Sequence, residues 1–133
     1  MRRLPVNILM VAYRGYSDSE GTPTEAGLKM DGISILNWLS VCTQIDRSQI
    51  YILGRSLGGA VGCYVASNSE NRPTIKGLIL ENTFTSIADV LRSRFSILSW
   101  VLTPLLRNKW ESIKEIPSIM CPILFIIGTL GIN

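Results

Sequence analysis

The chain contains no histidine, few charged residues and no long apolar run. None of its 133 residues is a histidine, so the chain lacks the imidazole side chain that most often acts as a general base in enzymes. Charged residues make up 17% and hydrophobic residues 47%, which excludes a disordered tail. The net charge of +3 is small and its basic residues are scattered, which argues against nucleic acid as a partner. We therefore expect one globular domain over residues 1–133.

The cysteines are too few and too widely spaced to form a disulfide framework or a zinc pattern. They are Cys42, Cys63 and Cys121. We expect Cys63, on a predicted helix, and Cys121, just before an apolar strand, to be buried free thiols. The sequence thus predicts no metal and no cofactor.

No segment has the pattern of a signal peptide or of a transmembrane helix. The basic start, Met1 to Arg3, leads into an apolar stretch without a cleavage site. The longest uncharged run, residues 95–106, is broken by Pro104 and is too short to span a bilayer. We expect an intracellular location, either cytoplasmic or membrane-associated.

Four short apolar runs predict strands and two periodic segments predict helices. The strands are Val6–Ala12, Ile50–Leu53, Ile75–Leu80 and Pro122–Gly128, and the helices are about Pro23–Val41 and Gly58–Ser67. Thr22-Pro23-Thr24-Glu25 has the form of a capping box with proline at the first helical position. Strands that alternate with helices predict an α/β fold with a mostly parallel sheet of about four strands.

A serine lies at the junction of the second strand and second helix. Residues 54–58 read Gly-Arg-Ser-Leu-Gly, the G-x-S-x-G pattern of a nucleophile elbow. Such a pattern also arises by chance, but its place between an apolar strand and a small-residue helix favours the elbow. Ser56 is then the candidate nucleophile, and the backbone N–H of Leu57 is a candidate oxyanion donor. We expect Gly54 and Gly58 to provide clearance, and Gly59 and Ala60 to let the helix approach the sheet.

Three separated segments resemble the bud-emergence (Bem46-like) branch of the α/β-hydrolases. They are Val11–Gly21, Gly54–Gly62 and Leu80–Ile87. The resemblance implies an α/β-hydrolase fold and hydrolysis of a carboxylic ester, thioester or amide through an acyl-serine. It implies a small-molecule or acylated-protein substrate and no cofactor.

The chain departs from the family pattern at both ends. The family has a His-Gly-Asn loop before the first strand found here, and its catalytic acid follows the last strand in a Gly-x-x-Asp pattern. Residues 128–131 read Gly-Thr-Leu-Gly, so Gly131 stands where the triad aspartate is expected. The triad histidine is absent as well. We expect a partial fold that lacks the N-terminal strands and the C-terminal strand, and that is inactive alone.

The alternative to a serine hydrolase is a non-catalytic truncated isoform or interaction fragment. A sheet that lacks strands presents a bare edge and an uncovered apolar face, which favours self-association or partner binding over a stable monomer.

Other ionisable residues are weaker candidates for the missing acid or base. Glu81 ends a strand at a position where some α/β-hydrolases place their acid, but the family keeps a separate aspartate. We therefore expect Glu81 to bond to nearby loop N–H groups. Asp18 and Glu20 are expected to be solvated or capping residues, and Lys76 and Lys109 have no spacing that indicates a Ser-Lys dyad.

The long segment between the third and fourth predicted strands, residues 86–114, is expected to form a cap or lid. Its apolar part, residues 95–106, could alternatively contact a membrane surface. Pro104 breaks the amphipathic pattern, which favours a lid packed over an acyl pocket.

Overall fold

A parallel sheet organises the part of the chain that the computed structural model describes, residues 5–68, 75–89 and 108–128. In chain order its elements are α1 (Glu25–Val41), β1 (Ile50–Arg55), α2 (Leu57–Ser67), β2 (Ile75–Glu81), α3 (Ser112–Glu115), a 3₁₀ turn (Ile116–Ser118) and β3 (Ile123–Ile126). Within these residues, three strands pair in parallel in the order β1-β2-β3. The predicted α/β class with a parallel sheet flanked by helices is confirmed, with one strand fewer than expected.

The predicted first strand, Val6–Ala12, is the strand that does not form. Over the described residues this segment is neither helix nor strand, and its side chains lie largely in solvent, with Ile8 81% and Met10 89% exposed. A strand exists only where a neighbour pairs with its backbone, and no described strand lies beside this one. The apolar run favours burial of this segment, but a strand also needs a neighbouring strand to pair with its backbone.

Helix α2 covers one face of the sheet because its glycine and alanine residues allow close approach. A Cβ at Gly62 would lie 3.2 Å from Ile52 Cγ2 and 3.2 Å from Leu78 Cδ1, so the helix backbone nearly touches both strands. The cluster beneath α2 consists of Cys63, Ala66, Leu78 and Leu80, each at most 5% exposed. A second cluster joins α1 to the other side of α2 through Leu28, Leu36, Ala60, Val61, Val65 and Trp110.

Helix α1 begins two residues later than the capping-box pattern predicts. Its N-cap is Thr24, whose Oγ1 accepts the Gly27 N–H at 3.1 Å. Thr22 is therefore not the cap, and the helix starts at Glu25. The predicted box fails because the Glu25 carboxylate is bound elsewhere.

The Glu25 carboxylate fixes residues 108–110, near the end of the predicted lid. Its Oε2 accepts the backbone N–H groups of Lys109 at 2.6 Å and Trp110 at 3.1 Å, and Asn108 Oδ1 accepts the Glu25 N–H at 3.0 Å. Lys29 Nζ lies 2.8 Å from Glu25 Oε1 and 5.7 Å from the Trp110 ring centroid. The three hydrogen bonds with backbone N–H donors connect residues 83 to 85 positions apart. They therefore hold the buried Trp110 against α1.

A charge pair fixes the loop that precedes α1. Arg14 donates from Nε and Nη2 to the Asp31 carboxylate, at 3.0 and 2.7 Å to Oδ1. The hydrogen bond from the Arg14 side chain holds the pKa of Asp31 below its ordinary value. A Cβ at Gly27 would lie 2.7 Å from Arg14 Cδ, so glycine makes room for this side chain on the helix.

We expect Glu25→Gln to lower the free energy of unfolding at pH 7 by about 1–3 kcal/mol, because a charged acceptor of backbone N–H groups is lost. Burial raises the pKa of Glu25, but hydrogen bonds from Lys29, Trp110 and Lys109 outweigh it and the net pKa is lowered. A carboxyl with a lowered folded-state pKa stabilises above its unfolded pKa, about 4.3, and loses that contribution as pH falls further. Denaturant unfolding should therefore show a smaller difference at pH 3 than at pH 7.

Glu111→Gln is the matched control for this carboxylate. Glu111 pairs with Lys114 at 2.7 Å, but both side chains are well exposed. Its loss should change stability by less than about 0.5 kcal/mol at either pH. Equal effects of the two substitutions would contradict a special role for Glu25.

Candidate active site

Ser56 occupies the strained turn between β1 and α2. Its φ of 50° and ψ of −117° lie in a region that L-residues rarely adopt. The Ser56 N–H donates to the Glu81 carbonyl oxygen at 3.0 Å, and its own carbonyl oxygen accepts the Gly59 N–H at 3.0 Å. Its side chain is exposed and makes no capping hydrogen bond to α2. The turn therefore presents a solvent-facing hydroxyl at the carboxyl edge of the sheet, as the nucleophile-elbow pattern predicts.

The glycines around Ser56 do not all have the predicted role. A Cβ at Gly54 would lie 2.5 Å from Gly58 O and 2.6 Å from Gly59 Cα, which are backbone atoms that cannot move aside. A Cβ at Gly59 would lie 2.7 Å from Thr83 Cβ. At Gly58 a Cβ would meet nothing within 4 Å, so the expectation that Gly58 provides clearance is wrong. Gly58 contributes its backbone to the contact, and Gly54 provides the space.

Leu57 is the first residue of α2, and its N–H belongs to the first helical turn. Those N–H groups have no acceptor within the helix and carry the positive end of its dipole. The Leu57 side chain packs against the cluster shared with α1. The backbone of Leu57 is thereby held next to Ser56, where the sequence predicts an oxyanion donor.

Asn82 and Thr83 are site residues to which the sequence analysis gave no role. Asn82, at φ 45°, donates its N–H to Ile126 O at 2.9 Å, and its Oδ1 accepts the Gly128 N–H at 2.8 Å. Thr83 Oγ1 donates to Ser56 O at 3.1 Å. The two residues thus join the ends of β2 and β3 to the elbow. Both lie in the segment Leu80–Ile87 that resembles the Bem46-like branch, and that resemblance was the sequence signal that could have marked them as site residues.

Three carboxylates were considered as candidate acids, and the described residues include all of them. Glu81 Oε1 lies 3.9 Å from Arg55 Nε. Among the described residues no loop N–H donates to the Glu81 carboxylate, so the expected hydrogen bonds are not found there. Arg55 is the residue before Ser56, and its side chain is 74% exposed. Asp18 and Glu20 are exposed, as expected of solvated residues. Gly131 lies outside the described residues.

All three cysteines lie in the described part of the chain. Cys63 is fully buried, whereas Cys42 and Cys121 are only partly buried, and all three are free. Burial raises the pKa of Cys63 to about 11, so it is a neutral thiol at pH 7. Residues 5–68, 75–89 and 108–128 contain no group of three or more side chains that could hold a metal ion.

Most of the predicted lid, including the apolar part at 95–106, lies outside the described residues. The described residues at the end of the predicted lid, 108–114, lead into α3, where the Ile113 N–H donates to Thr85 O at 3.2 Å. No helix in the described ranges has the length and apolar character that a membrane span requires.

The chain is similar to several α/β-hydrolase proteins over nearly its whole length. It is 39% identical over 139 residues to the α/β-hydrolase domain-containing protein WAV2 of Arabidopsis thaliana, covering 96% of this chain and 44% of that protein. It is 38% identical to protein bem46 of Schizosaccharomyces pombe, covering 94% and 42%. It is 30% identical to the lysophosphatidylserine lipase ABHD12 of Macaca fascicularis, covering 92% and 33%. No model of a known protein family matches the chain.

A solved structure is similar in fold to this chain. The crystal structure of an α/β-hydrolase from Vibrio vulnificus superposes with a TM-score of 0.74 at 26% identity, covering 85% of this chain and 43% of that one. The chain is therefore a homologue of the α/β-hydrolases, and its resemblance to the Bem46-like branch is confirmed. It spans less than half the length of each of these relatives.

We expect Gly54→Ala to lower the free energy of unfolding by about 2–3 kcal/mol, because the added methyl meets backbone on the opposite side of the elbow. Gly58→Ala is the matched control two residues after Ser56. It should leave stability unchanged or raise it by up to about 1 kcal/mol, because alanine favours helix and the space is open. Denaturant unfolding of both variants measures the difference. Equal destabilisation would contradict the assignment of clearance to Gly54.

Proposed function

We propose that this chain carries the nucleophile half of a serine hydrolase that acts on a carboxylic ester, thioester or amide. One observation carries the proposal: a G-x-S-x-G serine held at positive φ, with its hydroxyl in solvent beside a helix N-terminus. The homology to α/β-hydrolases, among them a protein named as a lysophosphatidylserine lipase, supports the same reaction class. The substrate is proposed to be a small acylated molecule or an acylated protein.

The reaction would proceed through an acyl-serine. Ser56 Oγ attacks the carbonyl carbon as a base removes the hydroxyl proton, and the Leu57 N–H donates to the oxyanion that forms. Collapse of this tetrahedral species expels the leaving group, which takes up the proton, and leaves the acyl group on Oγ. Water then attacks the acyl carbon, the bond to Ser56 Oγ breaks, a carboxylic acid is released and a proton returns to Oγ.

The chain lacks the group that would remove the proton. It contains no histidine, and a carboxylate with a pKa near 4 is a poor base for a serine hydroxyl at neutral pH. Glu81, the carboxylate on the elbow's neighbouring strand, is paired with Arg55. We therefore propose that the chain alone is essentially inactive.

Reaction with a fluorophosphonate probe tests both halves of this proposal. At pH 7 we expect slow labelling of Ser56, accelerated when millimolar imidazole supplies the missing base or when the pH is raised. Intact-protein mass spectrometry and peptide mapping give the rate and the site. Fast stoichiometric labelling without imidazole would show that the chain holds its own base. No labelling under any of these conditions would remove Ser56 as a nucleophile.

Two variants serve as controls for this experiment. Ser56→Ala should abolish the imidazole-dependent labelling. Ser17 is another exposed serine at positive φ, 49°, but it is in a loop without a following helix. Ser17→Ala should label like the wild type, because no helix N-terminus lies beside its hydroxyl.

A second candidate function, as a non-catalytic interaction fragment, is favoured by the face of the sheet opposite α2. Leu53, Ile79 and Leu124 lie side by side across the three described strands, and Leu53 is 67% and Leu124 55% exposed. Parallel sheets are normally covered on both faces, so this row is an uncovered apolar surface. We propose that it mediates self-association.

Sedimentation velocity tests this alternative. We expect a concentration-dependent rise in the sedimentation coefficient of the wild type. Leu53→Lys should abolish this rise, because a charge then replaces an apolar side chain of the row that is 67% exposed. Trp38→Lys is the control, because Trp38 is 55% exposed but lies on α1, away from that face. Wild type that stays monomeric at all concentrations would count against the interaction role.

A further inference from the structure

The carbonyl of Ser56 and the N–H of Leu57 belong to the same peptide unit. A peptide unit is planar, and this one is trans, so its C=O and its N–H point in opposite directions. The groups that hold the Ser56 oxygen therefore also set the direction of the Leu57 N–H, the proposed oxyanion donor. The Gly59 N–H donates to that oxygen from within α2 at 3.0 Å, and Thr83 Oγ1 donates to it from outside the helix at 3.1 Å.

The Thr83 hydroxyl is placed by the end of β2 and by a glycine of α2. Asn82 precedes Thr83 at φ 45°, and its N–H and Oδ1 are bonded to Ile126 O and to the Gly128 N–H, at 2.9 and 2.8 Å. The backbone before Thr83 is thus tied to the end of β3. A Cβ at Gly59 would lie 2.4 Å from Thr83 Oγ1, so the glycine leaves room for the hydroxyl over the first turn of α2.

Two donors on one carbonyl oxygen act on the N–H of the same peptide in two ways. The oxygen has two lone pairs, so Gly59 and Thr83 can bond to it together, and two bonds from different directions resist rotation of the peptide plane. Hydrogen bonds to the oxygen also polarise the peptide, which makes its N–H a stronger donor. The peptide needs this support, because the φ of 50° at Ser56 is strained for an L-residue.

We infer that Thr83 is a positioning residue, whose hydroxyl orients the peptide between Ser56 and Leu57 so that the Leu57 N–H is directed at a developing oxyanion. The inference rests on the proposed function, because it assigns Thr83 to the same reaction. In this role Thr83 acts through the peptide and not on the reacting atoms. Loss of its hydroxyl should leave the fold intact, because the Gly59 N–H stays on the Ser56 oxygen and β2 stays paired on both sides.

The amide resonances of Leu57 test the orientation without any reaction. Thr83→Val removes the hydroxyl but keeps the shape of the side chain, and we expect it to move the Leu57 amide nitrogen resonance upfield, because the peptide is then less polarised. Thr83→Ser keeps a hydroxyl and should leave the resonance near its wild-type position. Thr85→Val is the matched control, because Thr85 Oγ1 donates to Asp89 Oδ2 and not to the elbow. If Thr83→Val does not fold, Thr83→Ala takes its place.

The imidazole-dependent labelling of Ser56 by the fluorophosphonate tests the effect on reactivity. In that reaction Ser56 Oγ attacks phosphorus, fluoride leaves, imidazole takes the proton and the phosphoryl oxygen occupies the place of the oxyanion. We expect Thr83→Val to slow the labelling about 3- to 10-fold, the ratio that one hydrogen bond is worth. Thr83→Ser and Thr85→Val should label like the wild type. Denaturant unfolding checks that the slowing does not come from global instability.

The outcomes separate this inference from the proposed function. An unchanged Leu57 resonance in Thr83→Val overturns the inference, and so does a changed resonance with an unchanged labelling rate. Equal slowing by Thr83→Ser or by Thr85→Val also overturns it, because the hydroxyl of Thr83 is then not the cause. A wild type that is not labelled under any condition removes Ser56 as a nucleophile, whereas the Leu57 resonance still decides whether Thr83 orients the peptide.

Discussion

The chain reverses direction at a single residue, Ser56, and the remainder of the described structure depends on that turn. The reversal brings the backbone of Gly58 and Gly59 against Gly54, which is possible only because Gly54 has no side chain. It directs α2 back along the sheet so that Gly62 meets Ile52 and Leu78. The core beneath α2, with Cys63 and Leu80, is therefore a consequence of the elbow. A longer or looser turn would place α2 away from the strands it covers.

The two faces of the sheet are stabilised unequally. On the side of α2, apolar packing is reinforced by the Glu25 carboxylate, which binds a segment 84 residues away in sequence and keeps Trp110 buried. On the opposite face, Leu53 and Leu124 remain in solvent. Much of the apolar surface that distinguishes this chain is thus left uncovered among the described residues. The same sheet that positions the elbow on one side thus leaves apolar side chains exposed on the other, among the described residues.

Elements fixed by local sequence were predictable, and those fixed by distant partners were not. The strands β1, β2 and β3 and the helix α2 follow from apolar runs bounded by turn residues and from the small residues after Ser56. The segment Val6–Ala12 has an equally strong apolar run and still forms no strand, because pairing is a property of two segments. The start of α1 was misplaced for the same reason: Glu25 bonds to Lys109 and Trp110, not to the local cap.

At the site, sequence reasoning located the serine at the turn between β1 and α2 but not the residues that hold it. The elbow pattern identifies Ser56 from five consecutive residues. Asn82 and Thr83 act across the sheet, and only the register of β1, β2 and β3 brings them to the elbow. The sequence alone could not distinguish the role of Gly58 from that of Gly54, because both are glycines two residues from Ser56.

The strain at Ser56 is maintained by the scaffold and not by catalytic partners. A non-glycine residue in such a conformation costs of the order of 1–3 kcal/mol, and it persists only where the surroundings fix it. Here the Ser56 N–H donates to the Glu81 carbonyl oxygen, and the Ser56 carbonyl oxygen accepts from the Gly59 N–H and the Thr83 hydroxyl. None of these contacts involves a base. Because these contacts fix the backbone of Ser56 without a base, a chain without histidine can keep the geometry of the elbow. The shape of an elbow is therefore evidence of ancestry and does not by itself show activity.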